Sequence, residues 1–320
     1  MSTFIHRRLV LAAVLAAVCG VASAFPDRPV TMVVPFPAGA STDVAARDLA
    51  EQLALVFKQT VVVENRSGAE GAIGVRNMLN AAPDGHTMLF TSSSTTVLDP
   101  VLKKSLFFDP VKDIVPICSA TQIDLFLYVT GSGPFKNVAD LIAAAKAQPG
   151  KFTFAYSSAT TRLAAELFAL SAGIKLTGIP YKAVVGALTD VSSATVDMMV
   201  VDQVTGVPFV QGGKLRMLAV AAPTRSTFAP DVPTGPELGL ADFTIAPWNG
   251  LFVSAKTAPE TLQQLRELMR QATQSAAYKA NIAKRSLTAF QVCGDDLAKY
   301  QRADIEKARR ATKAAGIEPE

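Results

Sequence analysis

Apolar runs and segments of helical period alternate along most of this chain. Val30–Val34 is a short β-branched run that predicts a strand, and Asp43–Phe57, with Leu49, Leu53, Val56 and Phe57 on one side, predicts a helix. Val61–Val63 reads as a second strand, Gly74–Ala82 as a helix and Thr87–Thr91 as a third strand. This βαβαβ order predicts a mostly parallel sheet with helices on both faces. The middle of the chain repeats the theme. Strands over Leu125–Thr130 and Phe152–Tyr156 flank a helix over Val138–Ala147. A helix over Thr161–Ala172, a short strand Ile179–Tyr181, a helix Val184–Ser192 and strands Val196–Val201 and Leu215–Ala222 follow. Beyond a Pro-rich connector, Pro223–Pro247, the tail predicts helices over Pro259–Lys284 and Asp295–Ala315.

The pattern therefore predicts two α/β lobes, with extended crossings near Pro116–Leu127 and Pro223–Trp248. The expected divisions are a leader over 1–24, the first part of lobe 1 over 25–124, lobe 2 over 125–224, and a return to lobe 1 over 225–320. Trp248 is expected to pack in the hinge rather than stack on a ligand.

The first strand stops at Pro35-Phe36-Pro37-Ala38-Gly39, and the chain reopens as a helix near Thr42. A strand that breaks on Pro and Gly and feeds a helix leaves backbone N–H groups unpaired at the loop tip. Reinforced by the helix dipole, those donors make an anion site. The alternative is a capped loop that holds only water.

Met1–Ala24 carries His6, Arg7 and Arg8, then an apolar stretch from Leu9 to Cys19, and closes on Ala22-Ser23-Ala24. That is the layout of a secretory leader cleaved after Ala24, and the apolar stretch is too short to span a bilayer. The expected location is the periplasm, with a soluble mature chain of 296 residues. Removing Arg7 and Arg8 lowers the formal charge from +4 to +2, so the basic balance carries little message. No Lys/Arg cluster interleaved with aromatics appears, and nucleic acid is not an expected partner. The Arg302–Arg310 run contains Asp304 and Glu306 and reads as the solvated face of a terminal helix.

After the leader two cysteines remain, Cys118 and Cys293, which could pair or could equally be buried free thiols. No C-x-x-C or H-E-x-x-H motif is present, and neither metal nor cofactor is expected. One histidine remains beyond the leader, His86 in Pro83-Asp84-Gly85-His86, expected as a turn or surface residue. With no G-x-S-x-G elbow beside it, a Ser-His-Asp or Cys-His system has too few parts, and the chain is not expected to be an enzyme.

Motifs converge along nearly the whole chain. They run from Phe25-Pro26-Asp27-Arg28-Pro29-Val30 through Pro35–Asp43, Val63-Glu64-Asn65-Arg66, Gly71-x-Ile73-Gly74 and Pro83-Asp84-Gly85. Later come Leu163–Phe168, Pro180-Tyr181-Lys182, Val196-Asp197-Met198-Met199, Gly213–Val220, Pro230–Thr234 and Trp248-x-Gly250-Leu251. In this order they resemble the Bug-type (Bordetella uptake gene) solute receptors of tripartite tricarboxylate transporters. The resemblance implies a two-lobed type II periplasmic-binding fold that closes around one small ligand, commonly a carboxylate. It implies a monomer that delivers this ligand to the membrane subunits of such a transporter. It also implies that the ligand lies between the first loop and the loop opening the helix at Thr160–Leu163. The candidate ligand residues are Phe36, Ala38, Gly39, Ala40, Thr42, Asp43, Ser92, Ser158, Thr160, Thr161, Arg162, Tyr181 and Asp202. A periplasmic protein passing occupancy to a signalling partner, or a secreted enzyme on the same fold, are the other readings.

The chain departs from the family pattern in three places. Gly39-Ala40 stands where Gly-Gly is usual, and Glu70 replaces a glycine in Ser67-Gly68-Ala69-Glu70-Gly71. Tyr156–Arg162 lacks the family's glycines, and Arg162 takes the place of a histidine. A cation in the first turn of a helix opposes the dipole by about 0.3–1 kcal/mol. Either a bound carboxylate or Glu166, one turn on, would compensate it. Asp43 could favour the dipole of its own helix or orient a water or ligand ammonium, and Asp202 could cap a helix or select an amino group.

Overall fold

In a computed structural model of the chain, describing residues 25–319 apart from 227, 286 and 315, the alternating pattern resolves into two sheets. The predicted leader lies outside the described residues. The first lobe opens with β1 (Val30–Val34), α1 (Ser41–Phe57), β2 (Val61–Asn65), α2 (Ala72–Asn80) and β3 (Thr87–Ser92). A π-helical turn, Ser94–Leu98, and the short α3 (Asp99–Leu102) lead to β4 (Ile114–Gln122).

The second lobe holds β5 (Leu125–Thr130), α4 (Val138–Ala147), β6 (Thr153–Tyr156), α5 (Ala159–Ala172), β7 (Thr177–Pro180), α6 (Val184–Ser192), β8 (Met198–Asp202), α7 (Gln203–Gln211) and β9 (Leu215–Val220). The chain then returns through β10 (Trp248–Ser254), α8 (Pro259–Gln274), α9 (Ala276–Lys284), β11 (Thr288–Ala289) and α10 (Asp295–Ala314). The spatial orders are β11-β4-β10-β3-β1-β2 and β7-β6-β8-β5-β9. Among the described residues no helix is long and apolar enough to cross a membrane.

The sheets are mixed rather than mostly parallel. β2, β1 and β3 are parallel, as are β7, β6 and β8, but β10, β4 and β11 in one sheet and β5 and β9 in the other run antiparallel. The reversal follows from the connectivity, because the chain leaves the first sheet on β4 and re-enters beside it on β10. The first crossing is correspondingly shorter than the sequence suggests, only Ile123 and Asp124. Pro116 sits inside β4, next to a register shift that accommodates its missing donor. The two crossings are hydrogen-bonded side by side, the Ile123 amide donating to the Pro247 carbonyl at 2.9 Å and the Ala221 amide to the Leu125 carbonyl at 2.8 Å.

Trp248 opens β10 and is fully buried. Its indole N–H donates to Asp304 Oδ2 at 3.0 Å, and its ring stacks on Phe252 and meets the edge of Tyr300. The expected helix Pro259–Lys284 breaks at Ser275, whose hydroxyl accepts from the Tyr278 amide and caps α9. Cys118 and Cys293 are disulfide-bonded, tying β4 to the segment before α10 across 175 residues. In the chain-entropy account a closed loop of that length costs the unfolded chain about 5 kcal/mol. His86 is buried rather than a surface residue. Its ring lies 3.1 Å from Asp27 and 3.3 Å from Asp84 and packs against Phe25, pinning the start of the described chain to β3.

Candidate functional site

Each expected ligand residue lies at the carboxyl edge of a parallel strand, where open α/β sheets place their ligands. Phe36–Asp43 follows β1, Ser92 ends β3, Ser158–Arg162 follows β6, Tyr181 follows β7 and Asp202 ends β8. Register turns those edges toward each other. Asn249, next to the second crossing, pairs with Ser92, and Leu125, next to the first, pairs with Asp202. Both crossings therefore spring from the same edges, and the cleft opens directly at the hinge.

The first loop is held by a cage of side chains. α1 begins at Ser41, two residues before the Asp43 start that the sequence suggests, behind Ala40, whose side chain makes no cap hydrogen bond. Gly39 takes φ +82°, a conformation that favours glycine, and donates its amide to Asp43 Oδ2 at 2.8 Å. Arg47 Nε donates to the same oxygen at 3.1 Å. Asn65 Nδ2 donates to Asp43 Oδ1 at 2.8 Å and to the Phe36 carbonyl at 3.1 Å. Burial pushes the Asp43 carboxyl up, but the Arg47, Gly39 and Asn65 donors outweigh it and hold the group below the ordinary range. Its oxygens are thus spent on holding the loop. Ala38 and Gly39 are exposed, Phe36 half-buried. Gly74 lets α2 approach this loop, since a Cβ there would come within 2.7 Å of Pro35.

The second loop is organised by hydroxyls. Ser158 caps α5, accepting from the Thr161 amide at 3.3 Å, while Thr161 Oγ1 accepts from the Ser157 and Ser158 amides at 3.0 and 3.1 Å. This reciprocal capping box starts α5 at Ala159, two residues before the sequence suggests. Arg162 lies over the Tyr156 ring, 5.6 Å from its centre. Burial pushes the Glu166 carboxyl up and the Arg162 charge opposes it, so the two groups do sense one another.

Thr42 is buried and donates to Asn249 Oδ1 at 3.2 Å, and Asn249 Nδ2 donates to Thr121 Oγ1 at 3.1 Å. The opening of α1 is thereby wired to β10 and β4 at the hinge. Ser92 Oγ accepts from the Ser94 amide at 3.3 Å, shaping the π-helical turn. Tyr181 is committed elsewhere: its hydroxyl donates to Asp190 Oδ2 at 2.6 Å on α6. Burial, then that carboxylate, pushes the phenol up to about 12. Asp202 caps α7 and accepts from the Thr205 amide and hydroxyl at 2.9 and 3.0 Å. Burial pushes its carboxyl up despite those donors.

A cavity of about 70 Å³ lies between the lobes, bounded by Ser93, Thr160, Leu163, Pro247, Asp304 and Lys307 among others. Thr160 is the one expected residue that borders it. Burial pushes the Asp304 carboxyl up against the Trp248 indole N–H and the Lys307 charge, which oppose it. Among the described residues no group of three or more His, Cys, Asp or Glu converges as a metal site.

Sequence reasoning gave Asn65 and Asn249 no role. Asn249 was findable, because a polar residue inside the apolar run Trp248–Ser254 is fully buried and needs a partner. Asn65 gave only a weak signal, the polar end of a strand.

The chain aligns with BugT of Bordetella pertussis at 34% identity over 290 residues, covering 88% of this chain and 89% of that protein. Its fold superposes on the periplasmic binding protein BugD with a TM-score of 0.83 at 27% identity, covering 92% of this chain and 100% of that one. It superposes equally on R. palustris Rpa4515 with adipate, TM-score 0.86 at 27% identity, with 92% and 100% covered. The family model described as the tripartite tricarboxylate transporter family receptor matches residues 45–317. The two-lobed clamp with its hinge-side cleft thus belongs to a receptor, and the chain is a member of the tripartite tricarboxylate transporter receptor family.

Proposed function

We propose that this chain captures a small carboxylate between the amino-terminal ends of α1 and α5 and hands it to the membrane subunits of a tripartite tricarboxylate-type transporter. As a member of its family the chain is a solute receptor and not an enzyme. What supports the ligand site is that two strand-edge loops adjoin the same hinge, one capped by Ala40, which offers no side-chain cap among the described residues, the other carrying Arg162. Backbone amides at one end and a guanidinium at the other suit a molecule with two anionic or polar ends. Adipate, held by the related Rpa4515, is a molecule of that kind.

In this reading the candidates divide by task. Gly39 and Ala40 shape the turn that leaves the first-turn amides of α1 beside Thr42 open to a ligand, Phe36 and Ala38 wall the loop, Ser92, Ser158 and Thr160 supply hydroxyls, and Thr161 holds the second loop through its capping box. Arg162 binds the second anionic end, while Tyr181 and Asp202 shape the second lobe's rim. The leader over 1–24 sends the chain to the periplasm, lobe 1 spans 25–124 and 225–320, lobe 2 spans 125–224, and the receptor acts as a monomer that closes about its two crossings.

The test is thermal unfolding of the chain from Phe25 onward against mono-, di- and tricarboxylates, acidic amino acids and aromatic acids. A ligand at about a hundred times its Kd stabilises the fold by roughly 2.7 kcal/mol, a shift of a few degrees. A shift confined to dicarboxylates is the expected result. No shift with any carboxylate, in protein refolded to remove carried-over ligand, would sink the ligand assignment.

A further inference from the structure

On the first lobe, α10 and the loop after α3 enclose a groove of about 660 Å³. Its lining brings five cations together, Lys103, Lys104, Lys112, Arg302 and Arg309, against two carboxylates, Asp109 and Glu306. That is a net of +3 on one face, whereas the whole 320-residue chain carries +4. Three of the cations are engaged locally: Lys103 with Asp99 at 3.3 Å, Lys112 with Asp109 at 3.1 Å and Arg309 with Glu306 at 2.6 Å. Lys104 and Arg302 are exposed and have no ion pair among the described residues. The floor is apolar, with Leu106, Phe108 and Ile305, and Val111 in the lining stands 43% exposed. Exposed apolar side chains ringed by cations are what an acidic, partly apolar chain segment requires.

The groove is also connected to the cleft. The chain runs from Ser92 through the π-helical turn and α3 straight into Lys103 and Lys104. Buried Gln301 of α10 donates its Nε2 both to the Thr96 carbonyl, in that turn, at 3.2 Å and to the Pro110 carbonyl, in the groove wall, at 3.1 Å. One side chain therefore fixes the groove wall and the turn behind Ser92 to the same helix. π-turns inside helical segments concentrate at functional sites.

We infer that this groove is a docking surface for an acidic peptide segment of a partner protein, which for a transport receptor is a loop of its membrane partner. The identity of that partner rests on the delivery reading above; the groove's preference for an acidic segment does not. A concave site whose cations line the walls fits a chain segment better than a flat anionic lipid surface.

The experiment measures anisotropy of a fluorescein-labelled decaglutamate peptide with the chain from Phe25 onward, at low and at physiological ionic strength. Saturable binding that weakens with salt is expected, and Lys104→Glu/Arg302→Glu should weaken it at least about tenfold. The double reversal Lys182→Glu/Lys279→Glu changes net charge equally on other surfaces and should leave the affinity within about twofold. Equal losses in both variants, or no peptide binding, would overturn the proposal. So would loss of binding to phosphatidylglycerol vesicles in the groove variant with peptide binding intact. The thermal panel above is independent of all three outcomes, so a failed groove and a failed ligand assignment remain distinguishable.

Discussion

The amino-terminal ends of α1 and α5 look alike in sequence, each a helix that opens with Ser and Thr soon after a strand, yet they are built in opposite ways. At α1 the cap is Ala40, and the acid nearby, Asp43, is turned back onto Gly39, Arg47 and Asn65. At α5 the hydroxyls of Ser158 and Thr161 take up three of the turn's amides, those of Ser157, Ser158 and Thr161, and the nearest charge is Arg162. An anion reaching α1 meets backbone dipoles, whereas one reaching α5 meets a side-chain cation. The first kind of site is sequence-tolerant and the second is set by one residue. Ligand preference within the family should therefore be adjusted more readily at the second loop, where this chain departs furthest from its relatives' pattern.

The comparison breaks most visibly at Asp43. Asp43→Ala leaves the Gly39 amide, Arg47 and Asn65 without their shared acceptor, and stability measured by denaturant should fall by about 2–4 kcal/mol. Carboxylate affinity should fall with it, since the loop that presents the amides is no longer held. Arg162→Ala should instead weaken ligand binding about tenfold or more with the melting temperature unchanged. Calorimetric titration with the ligand that the thermal panel selects decides this, and an unchanged affinity would return Arg162 to a purely structural role. Thr161→Val keeps the shape but removes the hydroxyl that closes the capping box, at about 1 kcal/mol of stability by chemical denaturation.

The smallest and most diagnostic difference is in pH. The Asp43 carboxyl is held below its usual 3.8 in the fold, so its contribution is complete above that value and is lost as pH falls through the lower folded value. The Glu166 carboxyl is raised above 4.5, so its contribution is present below that value and is lost as pH rises through the folded value. Melting temperatures from acid to neutral pH should show the deficit of Asp43→Asn shrinking in acid. Over the same range Glu166→Gln should gain on the wild type as pH rises. Parallel profiles for the two variants would show that the two helix ends are not opposed in charge.

Much of this was legible because local signals agreed with the fold. Val30–Val34, α1 and α4 declare themselves through apolar period alone, and the break at Pro35–Gly39 marks the first loop. What failed to read depends on contacts distant in sequence. α7 contains Gly206 and Pro208 and looks like a loop, yet Asp202 caps it and Gly206 packs on Tyr128, where a Cβ would come within 2.3 Å of the ring. The Ser94–Leu98 turn is too rich in hydroxyls to read as helix and is held by Gln301, 205 residues away from Thr96. β4 was hidden largely inside the first presumed crossing and β10 directly behind the second, because nothing local tells a strand at the edge of a crossing from a linker. The candidate positions came from loops and helix starts; the hydrogen bonds of Asn65 and Asn249 emerge only once strands lie side by side.

Trp248 is the chain's single tryptophan, and it stands at the first residue of the strand that follows the second crossing. An indole in that place is a built-in optical gauge. Its emission depends on the Asp304 carboxylate at its N–H and on the wetness of the cavity which Asp304 borders. A receptor that swings about these crossings would change both at once, with no second indole to blur the signal. Bending of the clamp could then be followed in real time on unlabelled protein.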